Sequence, residues 1–120
     1  MTDSHRARID AFLEAEYRQA ADDFDAGEAD RAWHHLERAH IVAQGFLGPH
    51  LYSHWRMLRL AIQTSDWDEA SGQLIRLALA PLGNLTGRLP IGNTGRSDVS
   101  AFVHMDIPDD LQAILNSQPK

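Results

Sequence analysis

The chain has 120 residues, 43% hydrophobic and 23% charged, which is typical of one small globular domain and not of a disordered segment. Its formal net charge of −6, with scattered arginines and Lys120 as the single lysine, argues against nucleic acid as a partner. The absence of cysteine excludes disulfides and thiolate metal sites. Because no apolar leader or membrane-length run is found, the sequence predicts a cytoplasmic protein with no membrane partner.

Residues 1–80 are predicted to form a bundle of four helices with short connections. Apolar residues recur at helical spacing from Ile9 to Phe24, and Gly27 follows as a helix-ending residue. Further helices are predicted at about 29–44, 49–64 and 66–80, the last with Asp66 and Glu69 as a capping-box-like pair. The predicted inward-facing residues are Ala32, Leu36, Ala39 and Ala43, then Leu51, Trp55, Leu58 and Ile62, and finally Ala70, Leu74, Leu77 and Ala78.

From Pro81 onward the chain is rich in glycine and proline, yet it keeps many apolar residues. We therefore expect residues 81–107 to form a tail packed along the helices, and residues 108–117 to form a short last helix. The whole chain, residues 1–120, is predicted to be a single all-α domain. Its architecture is either a four-helix bundle or two stacked helical hairpins.

A weak internal repeat with an offset of 38 residues places Ala32, Leu36 and Ala39 on Ala70, Leu74 and Leu77. Together with the turn at Gly27, this spacing resembles a tetratricopeptide helix pair. Any helical hairpin with small interface residues shows similar spacing, so the pattern does not by itself establish a repeat protein.

Four potential metal ligands lie on the second and third predicted helices. Glu37 and His40 form Glu-x-x-His, and His50 and His54 are four residues apart, so each pair shares one helix face. If Gly45 to Gly48 close an antiparallel hairpin, the two pairs converge near the same turn. Imidazole and carboxylate ligands without thiolate suit a transition metal such as zinc or iron. The alternative is that these histidines are solvated, or hydrogen-bonded in the core.

A second candidate site is the glycine-rich segment from Thr86 to Arg96. Its backbone and side chains could bind an anion or small molecule through Arg88, Asn93, Thr94 and Arg96. It is not a Walker loop, since the Gly-Lys-Ser/Thr ending is absent. The alternative is a turn-rich segment whose arginines pair with acidic residues of the helices.

Three stretches of sequence also resemble a known family. They are residues 32–41, AWHHLERAHI; the segment from His50 through His54 and Trp55 to Leu60; and residues 81–95, PLGNLTGRLPIGNTG. Together they resemble the family of small bacterial proteins known as domain of unknown function 3703. The resemblance implies a bacterial, stand-alone domain, and it implies no activity, substrate or site residues.

Three hypotheses of function follow from these patterns. The first is a metal-binding protein that uses Glu37, His40, His50 and His54. The second is a non-enzymatic, tetratricopeptide-like interaction module whose partner is another protein or a second copy of the chain. The third is an anion or small-molecule binder, or an enzyme, in which the glycine-rich tail folds over the histidine helices.

Overall fold

The computed structural model describes residues 3–100 and 102–116. Within them it contains five α-helices and no strand, which confirms the all-α prediction. Residue 117, the predicted end of the last helix, lies outside the described residues, and no described helix is long and apolar enough to cross a bilayer. The helices are α1 (Asp3–Asp25), α2 (Ala29–Ala43), α3 (Leu47–Gln63), α4 (Trp67–Thr86) and α5 (Asp109–Asn116).

The helices pack in the order in which they occur along the chain. α1 packs on α2, α3 packs on α4, and α2 contacts α3, which makes two helical hairpins stacked side by side. Gly27 ends the first hairpin's turn with a φ of 79°, a left-handed conformation that glycine adopts without a steric penalty. The short α5 returns to pack on α1 and α2.

Two apolar clusters hold the hairpins together. One lies where α1, α2, α3 and α4 meet, and the other joins α1, the end of α2 and α5 through the fully buried Leu111. The predicted apolar faces of α1 and α2 contribute to both clusters. The main buried members of the first are Ala20, Ala32, Trp33, Leu36, Met57, Leu58, Leu60, Ala61 and Ala70.

The predicted inward faces of α3 and α4 are wrong in part. Trp55 and Ile62 are each 48% exposed, Leu74 is 58% exposed and Ala78 is also exposed, although all four were expected in the core. Both helices are rotated so that polar side chains face inward. On α3 the buried polar residues are His50, Ser53 and His54, and on α4 they are Glu69 and Gln73.

α4 is longer than expected because it continues through Pro81 to Thr86. A proline inside a helix removes one backbone hydrogen bond, so the sequence predicted an end near residue 80. The helix ends instead at Gly87, which has a left-handed φ of 73°. The extra turn positions Asn84, which becomes important below.

The chain after α4 packs closely against the helices. Arg76 of α4 donates hydrogen bonds to the carbonyl oxygens of Arg96 and Val99. The side chain of Asn93 is buried and donates to the carbonyl oxygens of Ser100 and Val103. These contacts fix the shape of the segment and hold it against α4.

Candidate metal centre

Three histidine rings from two helices meet in the interior. His40 lies in the last turn of α2, His50 lies in the first turn of α3, and His54 follows one turn later. The three-residue connection between the helices makes them antiparallel neighbours, which brings these turns together. The ring centroids are 5.1 Å apart for His40 and His50, 4.7 Å for His40 and His54, and 5.0 Å for His50 and His54. One ring nitrogen from each lies within 4.8 Å of the others, and all three residues are buried.

Every Nδ1 atom in this cluster faces a carbonyl oxygen. His40 Nδ1 lies 2.8 Å from the backbone oxygen of Asn93, and His50 Nδ1 lies 2.7 Å from Oδ1 of Asn84. His54 Nδ1 lies 2.7 Å from Oε1 of Gln73. Because a carbonyl oxygen only accepts, each Nδ1 must carry the proton and donate it.

The two side-chain amides are themselves fixed in orientation. Gln73 Nε2 donates to Glu69 Oε2 at 2.8 Å and to the carbonyl oxygen of Gly95 at 2.9 Å. Asn84 Nδ2 donates to the carbonyl oxygen of Gln44 at 2.9 Å. Their oxygens must therefore face the histidines, which settles the tautomer of each ring from its neighbours.

The tautomers leave an unprotonated Nε2 on each neutral ring. The Nε2 atoms of His50 and His54 are 3.2 Å apart, so two lone pairs face each other at close range. Such an arrangement is repulsive unless a cation lies between the nitrogens. Two nitrogens bound tetrahedrally to Zn²⁺ at 2.0–2.1 Å are separated by roughly 3.3 Å, close to the observed spacing.

Burial keeps the rings neutral. Removal from water lowers the pKa of His54 to about 4, opposed by its hydrogen bond to Gln73. The same desolvation lowers the pKa of His50, and it holds the pKa of His40 well below its ordinary value. All three directions favour neutral imidazole, which is the form that binds metals.

Glu69, Gln73 and Arg96 form a polar cluster beside the rings, and Gln73 connects it to His54 by a hydrogen bond. Glu69 accepts hydrogen bonds from Gln73 Nε2, from the backbone N–H of Ser97 at 2.8 Å and from Arg96 Nε at 2.9 Å. Although burial raises the pKa of Glu69, these bonds bring it below its ordinary value. Arg96 also stacks on Trp33, with its guanidinium carbon 3.8 Å from the ring centroid.

Gly95 lies directly against the ring of His40. A Cβ atom at this position would be 2.7 Å from Cγ of His40, and the backbone φ of 84° favours glycine in any case. The glycine therefore lets the loop approach closely enough for the backbone oxygen of Asn93 to accept a hydrogen bond from Nδ1 of His40.

Glu37 does not belong to the histidine cluster, although it was predicted as a fourth ligand. Its Oε2 lies 3.4 Å from Nη1 of Arg96, so Glu37 forms an ion pair with the loop instead of joining the histidines. Two other histidines lie apart from the cluster: His34 is exposed, and His35 binds Glu16 and Asp23 through its two ring nitrogens.

The candidate anion-binding residues have mostly found partners within the chain. Arg96 is paired with Glu69 and Glu37, as the alternative hypothesis expected. Oδ1 of Asn93 accepts from the backbone N–H of Gly95 at 2.9 Å, and Oγ1 of Thr94 accepts from that of Arg96 at 3.4 Å. Arg88 is different, because it is exposed and lines a cavity beside the histidines.

The three rings open into this cavity, which has a volume of about 320 Å³. α4 and the following loop form the rest of its wall, so the histidine cluster borders a space large enough for a small molecule. Its other lining residues include Arg76, Leu79, Leu82, Leu89, Pro90 and Phe102.

Comparison with known families agrees with the sequence resemblance. The family described as protein of unknown function (DUF3703) matches residues 7–115. The chain belongs to this family. No curated protein and no solved structure matches the chain.

Sequence reasoning on this DUF3703 member missed the three hydrogen-bond acceptors of the histidines. Gln73 was not singled out, although it lies one turn beyond Glu69 on the same face of α4. Asn84 was expected in a loop because Pro81 precedes it, and the Asn93 acceptor is a backbone atom that no side-chain pattern reveals. Of these features, only the close approach of Gly95 has a sequence signal, which is the glycine itself within a turn-rich segment.

Proposed function

We propose that this protein binds one divalent transition-metal ion through the Nε2 atoms of His40, His50 and His54. The observation that supports the proposal is the convergence of three buried imidazole rings, with one ring nitrogen of each within 4.8 Å of the others. Nε2 of His50 and Nε2 of His54 are 3.2 Å apart, and every Nδ1 donates to a carbonyl oxygen. Histidine ligands in metal sites typically donate their other N–H to an oxygen acceptor, which fixes ring and tautomer. The same arrangement costs free energy in a protein with no use for it, because three polar rings are buried.

The ligand set indicates the kind of ion. Three neutral imidazoles suit Zn²⁺, Fe²⁺, Co²⁺ or Ni²⁺ better than the hard ions Mg²⁺ and Ca²⁺. Structural zinc sites use four protein ligands, whereas three protein ligands leave a coordination position for water or another small molecule. A cavity lined by all three histidines is available for that molecule.

The test is elemental analysis of protein expressed without an affinity tag and purified without chelators. We expect about one equivalent of a transition metal per chain in the parent protein. The double variant His50→Ala, His54→Ala should lose it while its helical circular dichroism persists. A single variant, His40→Gln, tests the third ligand with a smaller change in side-chain volume.

The matched control is His104→Ala, because His104 is exposed and lies outside the cluster. This variant should keep the full metal content. A parent protein that contains no metal, and takes up none of the four ions on dialysis, would contradict the proposal. So would equal metal content in the control and the double variant.

A second candidate function, self-association, is favoured by an exposed apolar face on α4. Four large side chains of this face, Leu74, Ile75, Leu82 and Leu85, are each more than half exposed. Together with Ala78 they fall within about 100° of helix circumference. An apolar face of this size is unusual on a monomer and is typical of an interaction surface.

We infer that the occupant of this face is a second copy of the chain. From residue 70 to residue 87 the only charged residue is Arg76, whose guanidinium is directed to the carbonyl oxygens of Arg96 and Val99. In a two-fold symmetric pair the same face meets itself, which requires a surface without unpaired charge. The α4 face satisfies that condition.

Light scattering coupled to size exclusion would give the mass in solution, against a chain mass of 13.4 kDa. We expect a dimer for the parent protein and a monomer for Leu74→Glu, because burying a carboxylate against an apolar surface is unfavourable. Ile62→Glu is the control, since Ile62 is a similarly exposed apolar residue on α3. A parent protein that stays monomeric at its solubility limit would refute self-association.

A further inference from the structure

We infer that the cavity beside the three histidines binds a small aliphatic carboxylate, with one carboxylate oxygen coordinating the metal ion. This inference rests on the metal ion proposed above. It assigns the chemical class of the ligand that occupies the open coordination position.

The positive charge around the cavity favours an anionic ligand. His40, His50 and His54 are neutral ligands, so a bound divalent ion keeps its full charge of about +2. Two guanidinium groups, Arg76 and Arg88, line the same cavity, and no acidic residue of the described chain does.

Neither arginine is neutralised by a direct ion pair within the described residues. Arg76 is held by backbone carbonyl oxygens, at 2.5 Å from that of Arg96, and Arg88 is exposed at the rim. An anion on the metal ion would therefore gain attraction from three positive centres at once.

The remaining wall of the cavity is apolar and favours a hydrocarbon group on the ligand. Five apolar residues line the rest of the cavity, and a strongly polar ligand tail would find no hydrogen-bond partner among their side chains. They are Leu79, Leu82, Leu89, Pro90 and Phe102.

The volume of the cavity limits the size of the ligand. A volume of about 320 Å³ is at the small end of ligand-binding cavities. A nucleotide or a peptide is too large and too polar for it, and a neutral hydrocarbon would leave the positive charges without a partner. A monoanionic carboxylate with a short aliphatic chain satisfies both the charged end and the apolar wall.

The experiment uses the full chain loaded with Co²⁺, whose visible absorption reports coordination directly. Acetate, butanoate and hexanoate are titrated in turn, with hexanol as the neutral comparison. We expect the acids to change the spectrum and affinity to rise about fourfold per added methylene, because each buries apolar surface against the wall. Hexanol should leave the spectrum unchanged.

Two variants and one control separate the roles of the charged end and the apolar tail of the proposed ligand. Arg88→Gln should weaken all three acids, whereas Leu89→Ala should weaken hexanoate and leave acetate unchanged. Arg59→Gln is the matched control, because Arg59 is an exposed arginine of α3 that does not line this cavity. It should behave as the parent does.

The outcomes distinguish this inference from the metal proposal. A protein that takes up neither Co²⁺ nor any other of the four ions overturns both. A protein that binds Co²⁺ normally, but whose spectrum no acid changes, overturns the ligand inference alone. The same conclusion follows if acetate and hexanoate bind equally well, since the apolar wall would then play no part.

Discussion

At the scale of single residues, the histidines illustrate how a buried polar group acquires a defined chemistry. Each ring has two nitrogens, and the carbonyl oxygens of Asn93, Asn84 and Gln73 decide which one keeps the proton. The amide orientations are decided in turn by their own acceptors. The result is a set of three rings whose Nε2 atoms carry no proton, as the proposed metal binding requires.

Gly95→Ala should disturb this arrangement at His40. The added Cβ would lie 2.7 Å from Cγ of the ring, and a left-handed φ is unfavourable for alanine. We expect a loss of about 2–4 kcal/mol in the free energy of unfolding, measured in urea, and weaker Co²⁺ binding.

Gly27→Ala provides the control for backbone strain alone. Gly27 has a nearly equal φ of 79°, and a Cβ added there has no neighbour within 4 Å. This variant should lose only about 1 kcal/mol and bind Co²⁺ as the parent does. Equal losses in the two variants would show that contact with His40 is unimportant.

At the scale of elements, the two sides of α4 differ in the kind of residue that they present. Its inner side presents Glu69 and Gln73 to the site, and its outer side presents the exposed apolar residues Leu74 and Ile75. An amphipathic helix normally shows the reverse, with polar residues in water. The inversion is explained if the inner side builds the metal site and the outer side meets another surface.

The start of α4 is fixed by Asp66. Its Oδ1 accepts a hydrogen bond from the backbone N–H of Glu69 at 3.1 Å, as the predicted capping pair requires. The reciprocal half of the capping box is absent, because the Glu69 carboxylate is bound to Gln73, Ser97 and Arg96 instead. The sequence predicted that the Glu69 side chain would cap the helix, whereas in the structure it binds residues next to the histidine cluster.

Asp66→Ala should therefore lower the free energy of unfolding by about 1 kcal/mol, because one backbone N–H loses its acceptor. Chemical denaturation measures the loss. Glu28→Ala is the comparison, since Glu28 holds the same position before α2 and makes no capping hydrogen bond. A loss in Glu28→Ala as large as that in Asp66→Ala would contradict the assignment.

At the scale of the whole molecule, helical periodicity was a sound guide to the elements and a poor guide to two of their faces. The four long helices and the convergence of His40, His50 and His54 follow from spacing and a short turn. The predicted stripes of α3 and α4 are wrong where Trp55 and Leu74 are exposed, because periodicity assumes that apolar residues face inward. Sequence rules fail at functional sites for this reason, since such sites bury polar groups.

Glu37 shows a second limit of sequence reasoning. Its spacing from His40 is suitable for a shared ligand role, and nothing in α2 alone argues against it. The competing partner, Arg96, is 59 residues away in the chain, and a loop without regular structure delivers it. Contacts of that range depend on tertiary packing, which local patterns do not encode.

The order of synthesis gives the histidine cluster one more property. All three rings are present once residue 54 has been made, yet their acceptors belong to residues 73, 84 and 93. A nascent chain that ends before these residues has the imidazoles without the groups that set their tautomers. If the proposed metal binding holds, the site with fixed tautomers therefore forms only after the tail has been synthesised.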